Sequence, residues 1–123
     1  SGAGFEHVEL FATRTHVDYH SASAAADLRG WLADARLVLH AIHAPVSEAF
    51  SGNRHVDALN LASSDKGRRE HALAEATAAL QLARQLPFAV LVVHAGVPRS
   101  QATVPGENSR DAARRSLEAL ATA

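Results

Sequence analysis

Two histidines that each close an apolar, strand-like run are the residues of this sequence best suited to chemistry. His43 ends the run 37–43 and His94 ends the run 88–94. Neutral imidazole is the commonest side-chain metal ligand and the natural acid or base near pH 7. Parallel neighbouring strands lie about 4.8 Å apart, so the two side chains can converge on one ion or one substrate oxygen. Alternatively, each histidine caps a core strand and bonds a local carbonyl group, but the repeated placement favours a function, because α/β sheets bind ligands at these strand ends.

A lone carboxylate and a short polar cluster are the other candidates. Glu9 lies within the partly apolar run 8–12, and a buried carboxylate needs a partner or a raised pKa. It is either a catalytic carboxylate or a buried ion-pair partner of an arginine, and the ion pair is the interpretation we favour. His16, Asp18 and His20 have a spacing that could hold a metal, but three polar residues in a turn are more typical of a solvated loop.

Three strand-like runs alternate with three helix-like stretches, and these elements must position the candidate residues. Strands are predicted near 8–12, 37–43 and 88–94, and helices near 22–35, 64–86 and 109–121. Strands that alternate with helices of more than ten residues are typical of βαβ units with a parallel sheet. The sequence therefore predicts a single α/β domain over residues 1–123, with both histidines at the carboxyl ends of parallel strands.

The predicted helices have recognisable N-termini and apolar stripes. The expected N-caps are Ser21 or Ser23, Ser64 or Asp65, and Asn108. The stripes expected to face the core are Leu28, Trp31, Leu32 and Ala35; Leu73, Ala76, Leu80 and Ala83; and Ala113, Leu117 and Leu120. The stretches 44–63 and 97–107 are predicted to be long loops that follow strands, and such loops are usually functional.

Composition limits the possible classes of function. Lys and Arg total 12 against 13 Asp and Glu, and without a basic tail or stripe we expect no nucleic-acid partner. The absence of cysteine excludes disulfides and thiolate metal sites. The apolar runs are too short to cross a membrane and no signal peptide opens the chain, which favours a cytoplasmic protein. The missing methionine and a final helical pattern without a stop signal indicate a truncated or excised segment.

Three strand segments, taken together, resemble those of one family. Residues 4–12 (Gly-Phe-Glu-His-Val-Glu-Leu-Phe-Ala), 42–45 (Ile-His-Ala-Pro) and 91–96 (Leu-Val-Val-His-Ala-Gly) are similar to the second, third and fourth strands of the sugar phosphate isomerase/epimerase family. That family belongs to the xylose isomerase-like (β/α)8 barrels and is related to the apurinic endonucleases. The resemblance spans nearly the whole chain and implies about three of the eight strand–helix units of such a barrel.

The resemblance also implies a chemistry. Its members act on sugars or abasic DNA with a divalent metal, so zinc, manganese or magnesium is the implied cofactor, although none is certain for this chain. His43 and His94 match histidines in the metal and substrate pocket of the endonuclease branch, whereas Glu9 matches a position without an assignable role. The family holds its metal mainly through side chains on later strands, which this chain lacks. The resemblance therefore implies that Glu9, His43 and His94 are a vestigial catalytic set, with His43 and His94 as a weak metal pair.

Three hypotheses about function follow. The leading one is a barrel fragment that is inactive alone and folds as a homodimer or higher oligomer, because three strands leave an apolar inner face without a partner. That face is expected to contain Val38, Leu39, Ile42 and Val90–Val93. The second is an assembled oligomer with metal-dependent sugar isomerase or epimerase activity, and the third is a small α/β binding module. A small sugar substrate is expected only for the full-length parent.

Overall fold

A parallel sheet with helices on one face organises the chain, and a computed structural model describes residues 2–102 and 105–123. In chain order the elements are β1 (His7–Phe11), α1 (Ala22–Ala35), β2 (Val38–His43), β3 (Ser47–Ser51), β4 (Arg54–Ala58), α2 (Lys66–Gln81), β5 (Val90–Val92) and α3 (Arg110–Ala121), with short 3-10 turns at Leu82–Arg84 and Arg99–Gln101. Within the described ranges, β1, β2 and β5 form the parallel sheet in that order. The α/β class with parallel strand–helix units, predicted from the sequence, is confirmed.

The three helices begin at side-chain caps. The side chains of Ser21, Asp65 and Ser109 each accept a hydrogen bond from the backbone amide three residues further on, which satisfies an N–H group left free in the first turn. The prediction of Asn108 as the third cap is wrong. Its side chain instead accepts from the amide of Val97 and donates to the carbonyl of the same residue.

Helices α1 and α2 cover one face of the sheet. Leu39 and Ile42 of β2 lie in a buried cluster with Ala25 of α1 and Ala79 of α2. Successive strand side chains point to opposite faces of a sheet, so a continuous apolar strand buries only part of its residues under the helices. The prediction that Leu39 and Ile42 belong to an uncovered face is therefore wrong.

The opposite face of the sheet leaves several apolar side chains exposed. Phe11, Val38 and Val90 remain 46%, 56% and 43% exposed there. His7 and Glu9 alternate with the half-buried Val8 and Leu10 along β1 and share the face with Phe11. We call this surface, made of His7, Glu9, Phe11, Val38 and Val90, the open face. It is smaller and more polar than the sequence predicted.

Two of the predicted helix stripes are partly exposed. Trp31 is 67% and Leu117 is 41% exposed, although both were expected to face the core. In α1 the packed residues are Ala25, Leu28 and Leu32, which follow helical spacing. Trp31 comes one residue before Leu32, about 100° around the helix, so it lies outside the packed stripe.

The stretch 44–63 is not the open loop that the sequence predicted, because it contains the antiparallel hairpin of β3 and β4. Gly52 and Asn53 form its turn with φ of 56° and 59°, the left-handed conformation that a two-residue hairpin turn requires. The other predicted loop, 97–107, includes residues 103–104, which lie outside the described residues. No helix in the described ranges is both long and apolar enough to span a membrane.

Candidate functional site

The parallel pairing of β1 with β2 brings Glu9 and His43 together. Phe11 lies opposite His43 in the parallel register, and Glu9 precedes Phe11 by two residues on the same face. Glu9 Oε2 lies 3.1 Å from His43 Nε2, with 57% of the glutamate side chain exposed. The prediction that Glu9 is the buried ion-pair partner of an arginine is therefore wrong, because this position of β1 points to the open face.

The ring of His43 is held on several sides. The Phe11 ring stacks on it with centroids 4.2 Å apart and an interplanar angle of 18°. Its Nδ1 atom is buried without a hydrogen-bond partner in the described part of the chain. Because Nε2 faces Glu9 and Nδ1 is buried, neither ring nitrogen is open to a ligand while this arrangement persists.

His94 stands beside this pair at the end of the neighbouring strand. It follows β5 by two residues, is exposed, and its ring centroid lies 6.2 Å from that of His43. Across residues 2–102 and 105–123, no three His, Cys, Asp or Glu side chains are placed to share a metal ion. The described donors at this edge of the sheet therefore do not fit a complete metal centre.

The cluster of His16, Asp18 and His20 does not converge on one point. The ring of His16 lies 5.6 Å from that of Phe50, while a carboxylate oxygen of Asp18 accepts from the backbone amide of His20. The His20 ring turns instead to Glu75, with Nε2 3.1 Å from Oε2. The spacing that suggested a metal site therefore produces a polar loop, which was the interpretation favoured from sequence.

Glu75 of α2 is a buried carboxylate that no sequence motif singled out. It accepts hydrogen bonds from Tyr19 Oη and from the ring of His20. Burial alone raises the pKa of Glu75, but the bonds from Tyr19 and His20 outweigh it and hold the pKa below its ordinary value. Burial, and then the bond to Glu75, raise the pKa of Tyr19 far above its usual range. This cluster fixes the loop between β1 and α1 against α2.

The hairpin forms one wall of a polar cavity of about 560 Å³. Its lining residues are Glu48, Arg54, His55, Asp57, Ala58 and Leu59 from the hairpin region, Arg68 and His71 from α2, and Gln101 and Glu107. Glu48 bonds the ring of His71, and Arg68 lies 3.4 Å from Glu107. The cavity therefore pairs much of its own charge, and its lining includes neither Glu9, His43 nor His94.

Two asparagines anchor the loop that follows His94. Asn108 Oδ1 accepts from Asn60 Nδ2 at 3.0 Å and from the Val97 amide at 3.1 Å, and its Nδ2 donates to the Val97 carbonyl at 2.8 Å. A Cβ atom on Gly96 would lie 3.3 Å from this side chain, so a larger residue would press the loop away. These hydrogen bonds hold the backbone of the loop that follows His94 next to the end of β5.

Comparison with known proteins agrees with this architecture. Residues 1–123 match the family model described as the xylose isomerase-like TIM barrel. No curated protein and no solved structure matches the chain. In barrels of this kind, strands and helices alternate and the active site lies at the carboxyl ends of the strands, which is the edge where Glu9, His43 and His94 meet.

Proposed function

Because the chain belongs to the xylose isomerase-like TIM barrel family, we propose that it supplies three consecutive strand–helix units of a sugar phosphate isomerase/epimerase-like barrel. We also propose, beyond the expectation from sequence, that this part of the barrel binds a small sugar at its strand-end edge without turning it over. The observation that carries this proposal is the hydrogen bond between Glu9 and His43. It joins the middle of β1 to the carboxyl end of β2, with His94 beside it. Active sites of TIM barrels are built from this end of the strands.

The exposed groups at this edge suit a polyhydroxylated ligand. The Glu9 carboxylate is more than half exposed and accepts hydrogen bonds from hydroxyl groups. The exposed ring of His94 offers one donor and one acceptor in its neutral form. His43 acts through position, because its bond to Glu9 orients the carboxylate while Phe11 stacks on the ring.

The same geometry argues that the isolated chain does not turn over sugar phosphates, keto-sugars or abasic DNA. Isomerisation requires a base within hydrogen-bond reach of the moving proton and a fixed group that polarises the carbonyl. His43 cannot act as that base while Nε2 faces Glu9 and Nδ1 is buried. We propose that the divalent metal which the family implies would be held by side chains of other barrel strands, with His43 and His94 contributing at most weakly.

Titration with neutral ketoses and ketose phosphates tests this site by NMR of the imidazole signals. We expect the signals of His43 and His94 to shift and those of His71 to stay in place. Glu9→Ala is expected to weaken sugar binding at least about tenfold, which is about 1.4 kcal/mol, because the accepting carboxylate is lost. Glu6→Ala is the matched control, since it removes an exposed glutamate just before the same strand.

Two outcomes would contradict this proposal. Equal affinities in Glu9→Ala and Glu6→Ala would place the sugar elsewhere. Turnover that depends on added manganese, magnesium or zinc and disappears in His94→Ala would overturn the expected inactivity and favour an oligomer that is an active isomerase.

We further propose that a second copy of the chain covers the apolar side chains of the open face, Phe11, Val38 and Val90, and leaves Glu9 and His7 accessible. Phe11, Val38 and Val90 are roughly half exposed on it, and β1 and β5 are the outer strands of the described sheet. Outer strands present unpaired N–H and C=O groups that favour pairing with another chain. Covering these three side chains in both copies contributes on the order of 5–9 kcal/mol.

Light scattering at micromolar concentration is expected to give a mass of two or more copies for the wild-type chain. Val90→Lys is expected to shift the population to monomers, because it places a charge in the shared apolar surface. Leu117→Lys is the matched control, since Leu117 is equally exposed on α3 but lies off the open face. A compact, folded wild-type monomer would contradict self-association, as would equal dissociation in the two variants.

A further inference from the structure

Two histidines lie side by side on the sheet, away from the edge formed by Glu9, His43 and His94. His7 is the first residue of β1, and His40 lies in the first half of β2. Their ring centroids are 6.1 Å apart and the ring planes are nearly perpendicular, at 87°. Both residues are exposed, so solvent and ions reach their rings.

A bulge in β2 produces this pairing. In the register His7 lies opposite Val38 and Val8 opposite Leu39, but the next residue, Glu9, lies opposite Ala41. His40 is therefore an extra residue without a partner in the register. Bulges re-aim a side chain and are over-represented next to functional sites. The bulge lets His40, which directly follows the buried Leu39, reach the ring of His7.

The ring nitrogens of this pair are not engaged elsewhere in the described residues. The chain has eight histidines, and four of them hydrogen-bond to other side chains: His20, His43, His55 and His71. In residues 2–102 and 105–123, the side chains of His7 and His40 have a ring contact with each other but no hydrogen bond or ion pair. In His43, by contrast, Nε2 is hydrogen-bonded to Glu9 and Nδ1 is buried, so neither nitrogen is available to a ligand.

We propose that His7 and His40 form a two-imidazole binding site for a divalent metal of the zinc type, with water completing the coordination. With Zn–N bonds of about 2.0–2.1 Å, two imidazoles that share a tetrahedral ion have ring centroids about 5 Å apart. The observed distance of 6.1 Å between the ring centroids shortens to about 5 Å when these exposed side chains rotate. Imidazole ligands favour zinc, copper and nickel over magnesium, calcium or manganese. This site is independent of the sugar site proposed above.

Zinc chloride added to the whole chain, and followed by calorimetry and by imidazole NMR, tests the site. One zinc ion per chain is expected to bind and to shift the signals of His7 and His40, whereas magnesium chloride leaves them in place. His7→Ala and His40→Ala are each expected to weaken zinc binding at least about tenfold, since a single imidazole remains. Two controls remove imidazoles elsewhere: the double variant His43→Ala/His94→Ala and the variant His71→Ala. Both are expected to retain zinc binding.

The outcomes separate the alternatives. Zinc affinity that survives both His7→Ala and His40→Ala overturns the site, as does affinity that is lost in His43→Ala/His94→Ala. A wild-type chain that binds no zinc at millimolar concentration overturns it as well. His7→Gln and His40→Gln, which preserve a polar side chain of similar reach, are measured in parallel, and circular dichroism verifies that each variant is folded. Because the sugar titration follows His43 and His94, failure of that function leaves this measurement unaffected.

Discussion

Replacing Leu39 with alanine is expected to lower the free energy of unfolding by about 2–5 kcal/mol, the usual loss when a large buried aliphatic side chain is truncated. Val38→Ala, one residue earlier, is expected to lower it by less than about 1 kcal/mol, the range of exposed strand positions. Leu39 is 5% exposed within the core under the helices, while Val38 lies on the open face. Urea denaturation at a concentration where the chains are monomeric measures both values.

The pair of variants is its own control, because the two residues are adjacent in one strand and both changes shorten an aliphatic side chain. The order of the two effects on self-association is expected to be the opposite of their order on stability. Val38→Ala removes apolar surface from the open face and weakens self-association, whereas Leu39→Ala acts mainly on unfolding. Equal losses of stability in the two variants would show that the helices do not cover the face that carries Leu39.

The sequence was sufficient to locate the parallel strands and the helices, but not the hairpin of β3 and β4 or the faces of the sheet. Strands β1, β2 and β5 lie within or close to the predicted apolar runs, and Asp65 caps α2 among the expected residues. The run 37–43 lacks a clear alternation of polar and apolar residues, so it could not show which side chains meet the helices. That assignment depends on register, and the bulge at His40 is a property of two strands together.

The candidate site was predictable in position and less so in its contacts. Strand ends identified His43 and His94, whereas the partner of Glu9 depends on how β1 pairs with β2. The hairpin had a local signal that could have found it, the Gly52-Asn53 turn between two short runs. Its strands are polar and short, and a polar stretch of this kind is typical of a loop.

Glu75 shows a different limit of prediction from sequence, which concerns the partners of a buried charge. A glutamate among Ala72, Ala76 and Ala79 in the buried stripe of α2 indicates a carboxylate that needs partners. The partners, Tyr19 and His20, lie more than fifty residues away in the chain, so only the packed structure identifies them. Their bonds explain how this helix tolerates a charged residue on its packed side.

Removing the Tyr19 hydroxyl in Tyr19→Phe is expected to lower the free energy of unfolding at pH 7 by about 1–3 kcal/mol, because Glu75 then remains buried and charged with one donor fewer. His20 remains as the other donor. Glu75→Gln is expected to lose a similar amount, since the neutral amide accepts weaker hydrogen bonds than a carboxylate. Glu70→Gln, an exposed position of the same helix, is the control and is expected to change stability by less than about 0.5 kcal/mol.

The pH dependence distinguishes the charge of Glu75 from its packing. The pKa of Glu75 is lower in the folded chain than its ordinary value, so the unfolded chain binds the proton first as the pH falls. The stabilisation is therefore complete above the unfolded pKa of about 4.3 and is lost as the pH falls through the lower, folded pKa. The advantage of the wild type over Glu75→Gln should accordingly be largest near neutral pH and disappear in acid. An advantage that persists in acid below the folded pKa of Glu75, where the carboxyl group is protonated in both the folded and the unfolded chain, would mean that the shape of the side chain, and not its charge, holds the loop of Tyr19 and His20 against α2.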